Sequence, residues 1–198
     1  MGIAERVRFS QFHNRIMDAA AAAALIPHGA TVGMSGFTGA GYPKALPQAI
    51  AERAPAEHAQ GRPYKINLWT GASTAPECDG ALAQAHAIGQ RLPFNTDPLA
   101  RQQINAGEID FIDMHLSHVA QHAWFGFFGK MNVAVIEVLG VTADGLLIPS
   151  TAIGNNKTWL EIADQVILEV NTKLSGAMEG MHDIYYGTAI PPRRLPTP

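Results

Sequence analysis

The sequence predicts an α/β fold: a mostly parallel sheet flanked by helices. Short apolar runs (Thr31–Met34, Lys65–Thr70, Val166–Val170) alternate with helical stretches at spacings suited to right-handed βαβ crossovers. The run Asn132–Leu139 is apolar almost throughout, as a strand covered on both faces must be. Small polar or glycine-rich loops follow directly on strand candidates, and open α/β sheets gather ligand sites at the carboxyl ends of their strands.

The elements follow in order. Residues 1–16 are amphipathic and in part helical. Asp18 is an N-cap for a helix over Ala19–Ile26, with His28-Gly29 as its glycine C-cap. Thr31–Met34 is a buried strand that opens into a loop carrying Gly36, Gly39 and Gly41; Pro43 and Pro47 lead into a helix reaching about Glu57. A polar surface loop over His58–Pro63 precedes the strand Lys65–Thr70, which runs straight into Gly71-Ala-Ser-Thr74. Asp79–Ile88 reads as helix and Arg91–Thr96 as a short extended piece. Asp97-Pro98 starts a helix with an N-cap and a first-position proline, and Gly107 ends it. Ile109–Asp113 is a strand and Ser117–Trp124 a helix. After the central strand Asn132–Leu139, a turn at Thr142–Gly145 leads to a short strand, Leu146–Pro149. Thr151–Asn156 is a second small polar loop before a helix over Thr158–Ala163, and Val166–Val170 closes the series as a buried strand. The proline-rich segment 189–198 can continue neither sheet nor helix and reads as a linker beyond an α/β domain of residues 1–188.

Composition narrows the function classes. At 198 residues the chain supports one good core, and 47% hydrophobic with 16% charged residues suits a well-buried α/β protein. A net charge of -3, with 14 Lys+Arg spread without runs, argues against a nucleic-acid surface. Cys78 is the single cysteine, which excludes a disulfide framework and a cysteine-based zinc site and suits a reducing, cytoplasmic setting. Met-Gly-Ile-Ala-Glu-Arg lacks a signal-peptide apolar region, and Arg6 stands where a myristoylation motif needs Ser or Thr. The longest apolar run, Ala19–Pro27, is too short to span a membrane.

Several residues are candidates for chemistry. The glycines run G-x-x-G-x-G, so neither the dinucleotide fingerprint nor the P-loop is present; the loop is either a tight strand-to-helix turn or a ligand loop. His115, His118 and His122 would share one side of a continuous helix, which could suit zinc. His115, however, falls before the helix begins and no acid lies between the histidines, so no metal is expected. Cys78 sits between Glu77 and Asp79, which raise a thiol pKa, and reads as unreactive. Glu137 and Glu169 lie in strongly apolar strands. Either could act as a carboxylate nucleophile, but the structural reading, a strand-end carboxylate bonding loop backbone, is preferred for both. Ser73, Thr96 and Asn155 are small polar groups after strands or extended pieces, equally suited to holding a carboxylate and to capping turns.

A resemblance adds to this reading. Ser35-Gly-Phe-Thr-Gly-Ala-Gly-Tyr-Pro-Lys44 followed by Pro47 resembles the first glycine motif of the acetyl-CoA hydrolase/transferase family, class I CoA-transferases of the succinyl-CoA:acetate type. The likeness continues through Leu68–Thr74, Pro93–Asp97, Ile104–Glu108, Asp113–Leu116, Val135–Glu137, Ile153–Asn155, Val166–Asn171 and Glu179–Ile184, nearly the whole chain in order. It implies exchange of CoA between an acyl-CoA thioester and a small carboxylate such as acetate, propionate or succinate, through a glutamyl-CoA thioester. CoA is then a substrate, and no cofactor is implied. It also implies that the catalytic glutamate and the CoA-holding loop lie in a C-terminal half, so that no catalytic residue is expected on this chain. The enzyme with that half is expected to be a homo-oligomer.

By the same resemblance Ser73, Thr96 and Asn155, with the loop of Gly36, Gly39 and Gly41, wall the small-carboxylate pocket. Three alternatives stand beside this reading: a catalytically silent fragment or assembly module, an acetyl-CoA hydrolase, and a Rossmann-type oxidoreductase domain, which the glycine order disfavours.

Overall fold

The computed structural model describes residues 2–72 and 75–184. Ser73, Thr74 and the proline-rich segment lie outside that range. The described strands are β1 Thr31–Met34, β2 Ile66–Trp69, β3 Ile88–Leu92, β4 Asp110–Phe111, β5 Val133–Val141, β6 Leu147–Pro149 and β7 Gln165–Val170. They form one sheet in the order β4-β3-β2-β1-β5-β6, with β7 also paired to β5. Every strand pairing is parallel except β5–β6, which a turn at Thr142–Gly145 joins antiparallel. The α-helices are α1 Ile3–Arg6, α2 Ala19–Ala24, α3 Ala45–Ala59, α4 Ala81–Gln84, α5 Pro98–Asn105, α6 Leu116–Trp124 and α7 Asn156–Ile162. A mostly parallel sheet with helices is thus the fold that the alternating pattern calls for.

Period-two alternation along the strands feeds two separate cores, one on each face. Val32, Met34, Ile66, Leu68, Val133 and Val135 pack with Ile26, Leu46, Ile50 and Leu82 on one side. On the other, Trp69, Ala134, Ile136 and Val138 meet Val119 and Trp159. All nine residues of β5 are buried, which is why that run carries so few polar side chains. Gly33 in β1 gives the second core its room. A Cβ there would stand 2.8 Å from Met131 Sδ and 3.0 Å from Trp159 Cγ, so a bare backbone lets the indole seat against the sheet. Each large side chain removed from water here contributes roughly 2 kcal/mol.

Several boundaries differ from the sequence reading. α2 ends at Ala24, and Gly29 is not its C-cap; at φ +77° it sits in the turn before β1, and its N–H donates to Lys65 O at 2.7 Å. The helical stretch expected over Asp79–Ile88 starts earlier, as a π-helical turn Pro76–Gly80 that runs into α4. It also stops sooner, because His86 takes a left-handed φ of 50° and hands the chain to β3 at Ile88. β4 is two residues long rather than five, and β7 is half-buried to exposed, not buried, with Val166 39% exposed. Asp18 and Asp97 cap as expected, their carboxylates accepting from Ala21 N–H at 2.7 Å and Ala100 N–H at 2.8 Å. No helix among the described residues is long and apolar enough to cross a membrane.

Candidate functional site: a cleft at the strand ends

A cavity of about 290 Å³ opens beyond the carboxyl ends of β1 and β2, lined by Gly36, Phe37, Gly71, Ala72, Leu116, Ser117, Ala120, Gly154 and Asn155. Its position follows from the topology. β1 and β2 are parallel neighbours, so the loops that leave them emerge side by side. They are stitched together: Phe37 bridges Ala72, and Thr38 N–H donates to Ala72 O at 2.8 Å. Within the glycine loop, Phe37 and Ala40 exchange backbone hydrogen bonds of 2.8 and 2.9 Å. The third wall is the 151–156 loop, and α6 supplies the fourth through Leu116, Ser117 and Ala120.

The three loop glycines are not equivalent. Gly41 has φ +70° and lies against the 151–156 loop, where a Cβ would be 2.5 Å from Ala152 O. Gly36 is closed in by the backbone of Ala40, Gly41 and Tyr42, whereas a Cβ on Gly39 would meet nothing within 4 Å. Of the residues expected at the site, Gly36 and Asn155 line the cavity together. Gly39 and Gly41 shape the loop from outside the lining. Thr96 is exposed beyond it, its carbonyl accepting from Arg101 Nη2 at 3.3 Å. Ser73 lies outside the described residues, directly after the lining residues Gly71 and Ala72.

Among the described residues the lining carries no acid, base or cation. Its polar groups are backbone, the Ser117 hydroxyl and the Asn155 amide, whose Nδ2 donates to Thr70 O at 3.3 Å. Such a pocket holds a small polar group by hydrogen bonds and brings no nucleophilic carboxylate of its own. Sequence reasoning missed two features here. Ser35, fully buried beneath the loops, accepts from Asn155 N–H at 2.8 Å. Leu116, the last residue of the Asp113–Leu116 motif, and Ser117 beside it face the cavity, although neither was singled out.

Charge is gathered instead at the loop's exit. Glu137 and Glu169 are register partners on β5 and β7. Glu169 accepts from three consecutive backbone N–H groups at the start of α3: Lys44 at 2.7 Å, Ala45 at 3.0 Å and Leu46 at 2.9 Å. Glu137, 2% exposed, accepts from Lys44 Nζ at 2.7 Å and Asn171 Nδ2 at 3.2 Å. Glu169 thus bonds loop backbone, as the structural reading expects; Glu137 departs from that reading, since it lies in the middle of β5 and meets side chains rather than backbone. Lys44 also donates to Tyr42 O, and the Tyr42 hydroxyl donates to Glu77 at 2.7 Å. That bond chiefly holds the Glu77 carboxyl below its ordinary range, while burial above all pushes the Tyr42 phenol up.

Cys78 is fully buried; burial first, and Asp79 next, push its thiol well up, so it is an inert core residue. His115 is the N-cap of α6, and the ring of His118 lies 5.6 Å from that of His115 and 5.9 Å from that of His122. His122 Nδ1 is hydrogen-bonded to His118 O at 2.8 Å. Among the described residues no group of three or more His, Cys, Asp or Glu is placed to hold a metal ion.

Comparison with known proteins bears on the family and the fold. The chain is 41% identical over 194 residues to a succinyl-CoA:acetate CoA-transferase of Clostridium kluyveri, covering 98% of this chain and 35% of the relative. It is 45% identical over 178 residues to a propanoyl-CoA:succinate CoA transferase of Escherichia coli, covering 90% of this chain and 36% of the relative. An acetyl-CoA hydrolase of Yarrowia lipolytica is 36% identical over 203 residues, covering 97% of this chain and 38% of the relative. The chain thus spans little more than a third of the length of these curated relatives.

Among solved structures, the fold matches RipA from Yersinia pestis with a TM-score of 0.63 at 16% identity, covering 86% of this chain and 40% of that one. It matches glutaconate coenzyme A-transferase from Acidaminococcus fermentans with a TM-score of 0.55 at 14% identity, covering 77% and 68%. The family pattern of the acetyl-CoA hydrolase/transferase N-terminal domain matches residues 1–189. The chain belongs to the acetyl-CoA hydrolase/transferase family, whose N-terminal domain it carries.

Proposed function

We propose that this chain supplies the small-carboxylate wall of an acyl-transfer cleft, in an enzyme that moves CoA between acyl-CoA thioesters and acetate, propionate or succinate. The observation that carries the reading is the neutral cavity at the ends of β1 and β2, bounded by glycine backbone, Ser117 and Asn155. In this mechanism a glutamate carboxylate attacks the thioester carbonyl, and the C–S bond breaks to give an acyl-glutamyl anhydride and CoA thiolate. The thiolate then attacks the glutamyl carbonyl and releases the first carboxylate. An incoming carboxylate reverses both steps. The glutamate comes from the part that the longer relatives carry beyond this length, since Glu137 and Glu169 are committed to the loop's exit. Gly36, Gly39 and Gly41 shape the wall, and Asn155 and Ser73 are assigned to the carboxylate; Thr96, exposed beyond the cavity, is given no such role. Water in place of the carboxylate turns the same cycle into hydrolysis, the activity named for the Yarrowia relative.

The test is CoA exchange from succinyl-CoA to acetate, assayed with the chain alone and again after adding the C-terminal part of one of these relatives. No turnover alone and turnover on addition is the expected result. Turnover by the chain alone would overturn the assignment of the nucleophile. No turnover in either case would support the alternative of a silent assembly module.

A further inference from the structure

We propose that Ser35 is the positioning residue of the cleft: its buried hydroxyl is the post against which the separate loops of the wall are set. The functional part of this inference rests on the acyl-transfer reading above. Ser35 directly follows β1 with 0% exposure, so it touches no substrate and acts only through its neighbours.

The wall's other loops converge on its Oγ. The Asn155 N–H donates to it at 2.8 Å, while the Asn155 side chain reaches the end of β2 at Thr70 O, 3.3 Å away. A Cβ on Gly71 would stand 2.5 Å from the same oxygen, and its next neighbours, Asn155 Nδ2 and Gly36 O, would be at ordinary distances of 3.5 and 3.6 Å. A Cβ on Gly154 would also strike Ser35 Oγ, and in addition would meet Gly36 O at 2.8 Å, at a left-handed φ of +53°.

Gly71, Gly154 and Asn155 all line the cavity, as does Gly36, the residue after Ser35. One hydroxyl thus explains why Gly71 has no side chain. It also fixes the Asn155 backbone, and with it the depth of the amide in the cleft. A buried hydroxyl is retained in such a place when its hydrogen bond is made, and an N–H left without it carries a desolvation penalty. The effect is confined to the carboxylate side of the cleft.

Two arms test this. The first is urea unfolding of the chain with Gly71→Ala and Gly154→Ala, each in the Ser35 and the Ser35→Ala backgrounds. Gly71→Ala should lower the midpoint strongly with Ser35 present and only slightly once Oγ is gone. Gly154→Ala should stay damaging in both, with only partial relief when Oγ is gone, because Gly36 O and the left-handed φ remain. Additive effects of Ser35→Ala and Gly71→Ala would overturn the post. Should Gly71→Ala fail to fold, recovery of folding in the double variant supports it, and a double variant that stays unfolded overturns it.

The second arm uses the active assembly. Ser35→Ala should raise the carboxylate KM about 5- to 10-fold, the equivalent of one hydrogen bond, while the acyl-CoA KM stays within about twofold. Equal rises in both, or no change in either, would overturn the positioning role. An assembly with no turnover in any variant would overturn the acyl-transfer reading instead, while the unfolding arm still decides the post.

Discussion

The carboxylate of Glu169 fills a role that normally belongs to an N-cap side chain. Lys44 occupies the N-cap of α3 and makes no side-chain cap, so a residue 123 positions away from Leu46 satisfies the orphan N–H groups. Glu169→Ala should therefore lower stability by about 2 kcal/mol in urea unfolding, as loss of a good cap does. Lys44→Met would leave the Glu137 carboxylate buried beside only Asn171. Breaking a buried pair costs roughly 3–5 kcal/mol, and since the Lys44 side chain is 36% exposed a smaller loss of about 2 kcal/mol is expected in the same assay.

Tyr42 gives a pH signature. Its hydroxyl holds the folded Glu77 carboxyl below the ordinary value of 4.5, so the stabilisation is present above that pH and is lost as pH falls through the lowered value. Tyr42→Phe should accordingly show a shallower acid limb, with its stability deficit shrinking as pH drops below 4.5. An unchanged slope would mean that the bond does not form in solution.

Among the elements, the glycine loop separates conformational need from mere smallness. Gly41→Ala must force a left-handed φ and push its Cβ into Ala152, and should cost more than about 2 kcal/mol by urea unfolding. Gly39→Ala meets open space and should change stability by less than about 0.5 kcal/mol.

From sequence these two glycines are indistinguishable, and the same limit explains the misplaced boundaries. Most strands were legible because their apolar residues alternate or run continuously, and Asp18 and Asp97 announce helix starts chemically; β3 was not, since Ile-Gly-Gln-Arg-Leu has neither pattern and the extended piece was expected over Arg91–Thr96. The end of α4 was not, because it depends on His86 adopting a φ of 50°, which no residue pattern reveals. Gly29 resembled a C-cap but serves a turn that only its hydrogen bond to Lys65 O explains. The candidate site was legible where a loop follows a strand, hence Gly36 and Asn155. Ser35 was not singled out, since its partner lies 120 residues away.

For the whole chain, two cores fix a sheet whose strand ends carry the cavity, in a chain that spans 35% to 38% of the relatives' length. Phe37, 62% exposed, and Leu116, 41% exposed, stand at that cleft as apolar rim. Among the described residues the lining offers hydrogen bonds and backbone but no carboxylate; Glu137 and Glu169 bond at the loop's exit, and the buried Asp79 pairs with Arg91. Under the proposed function the covalent chemistry belongs to a glutamate outside these residues. Incubating the active assembly with acyl-CoA, trapping the glutamyl-CoA thioester and digesting the protein would locate the modified residue by mass spectrometry. The expected result is an adduct on a peptide from the C-terminal part and none on this chain; CoA bound to Glu137, Glu169 or any other glutamate of this chain would contradict the assignment.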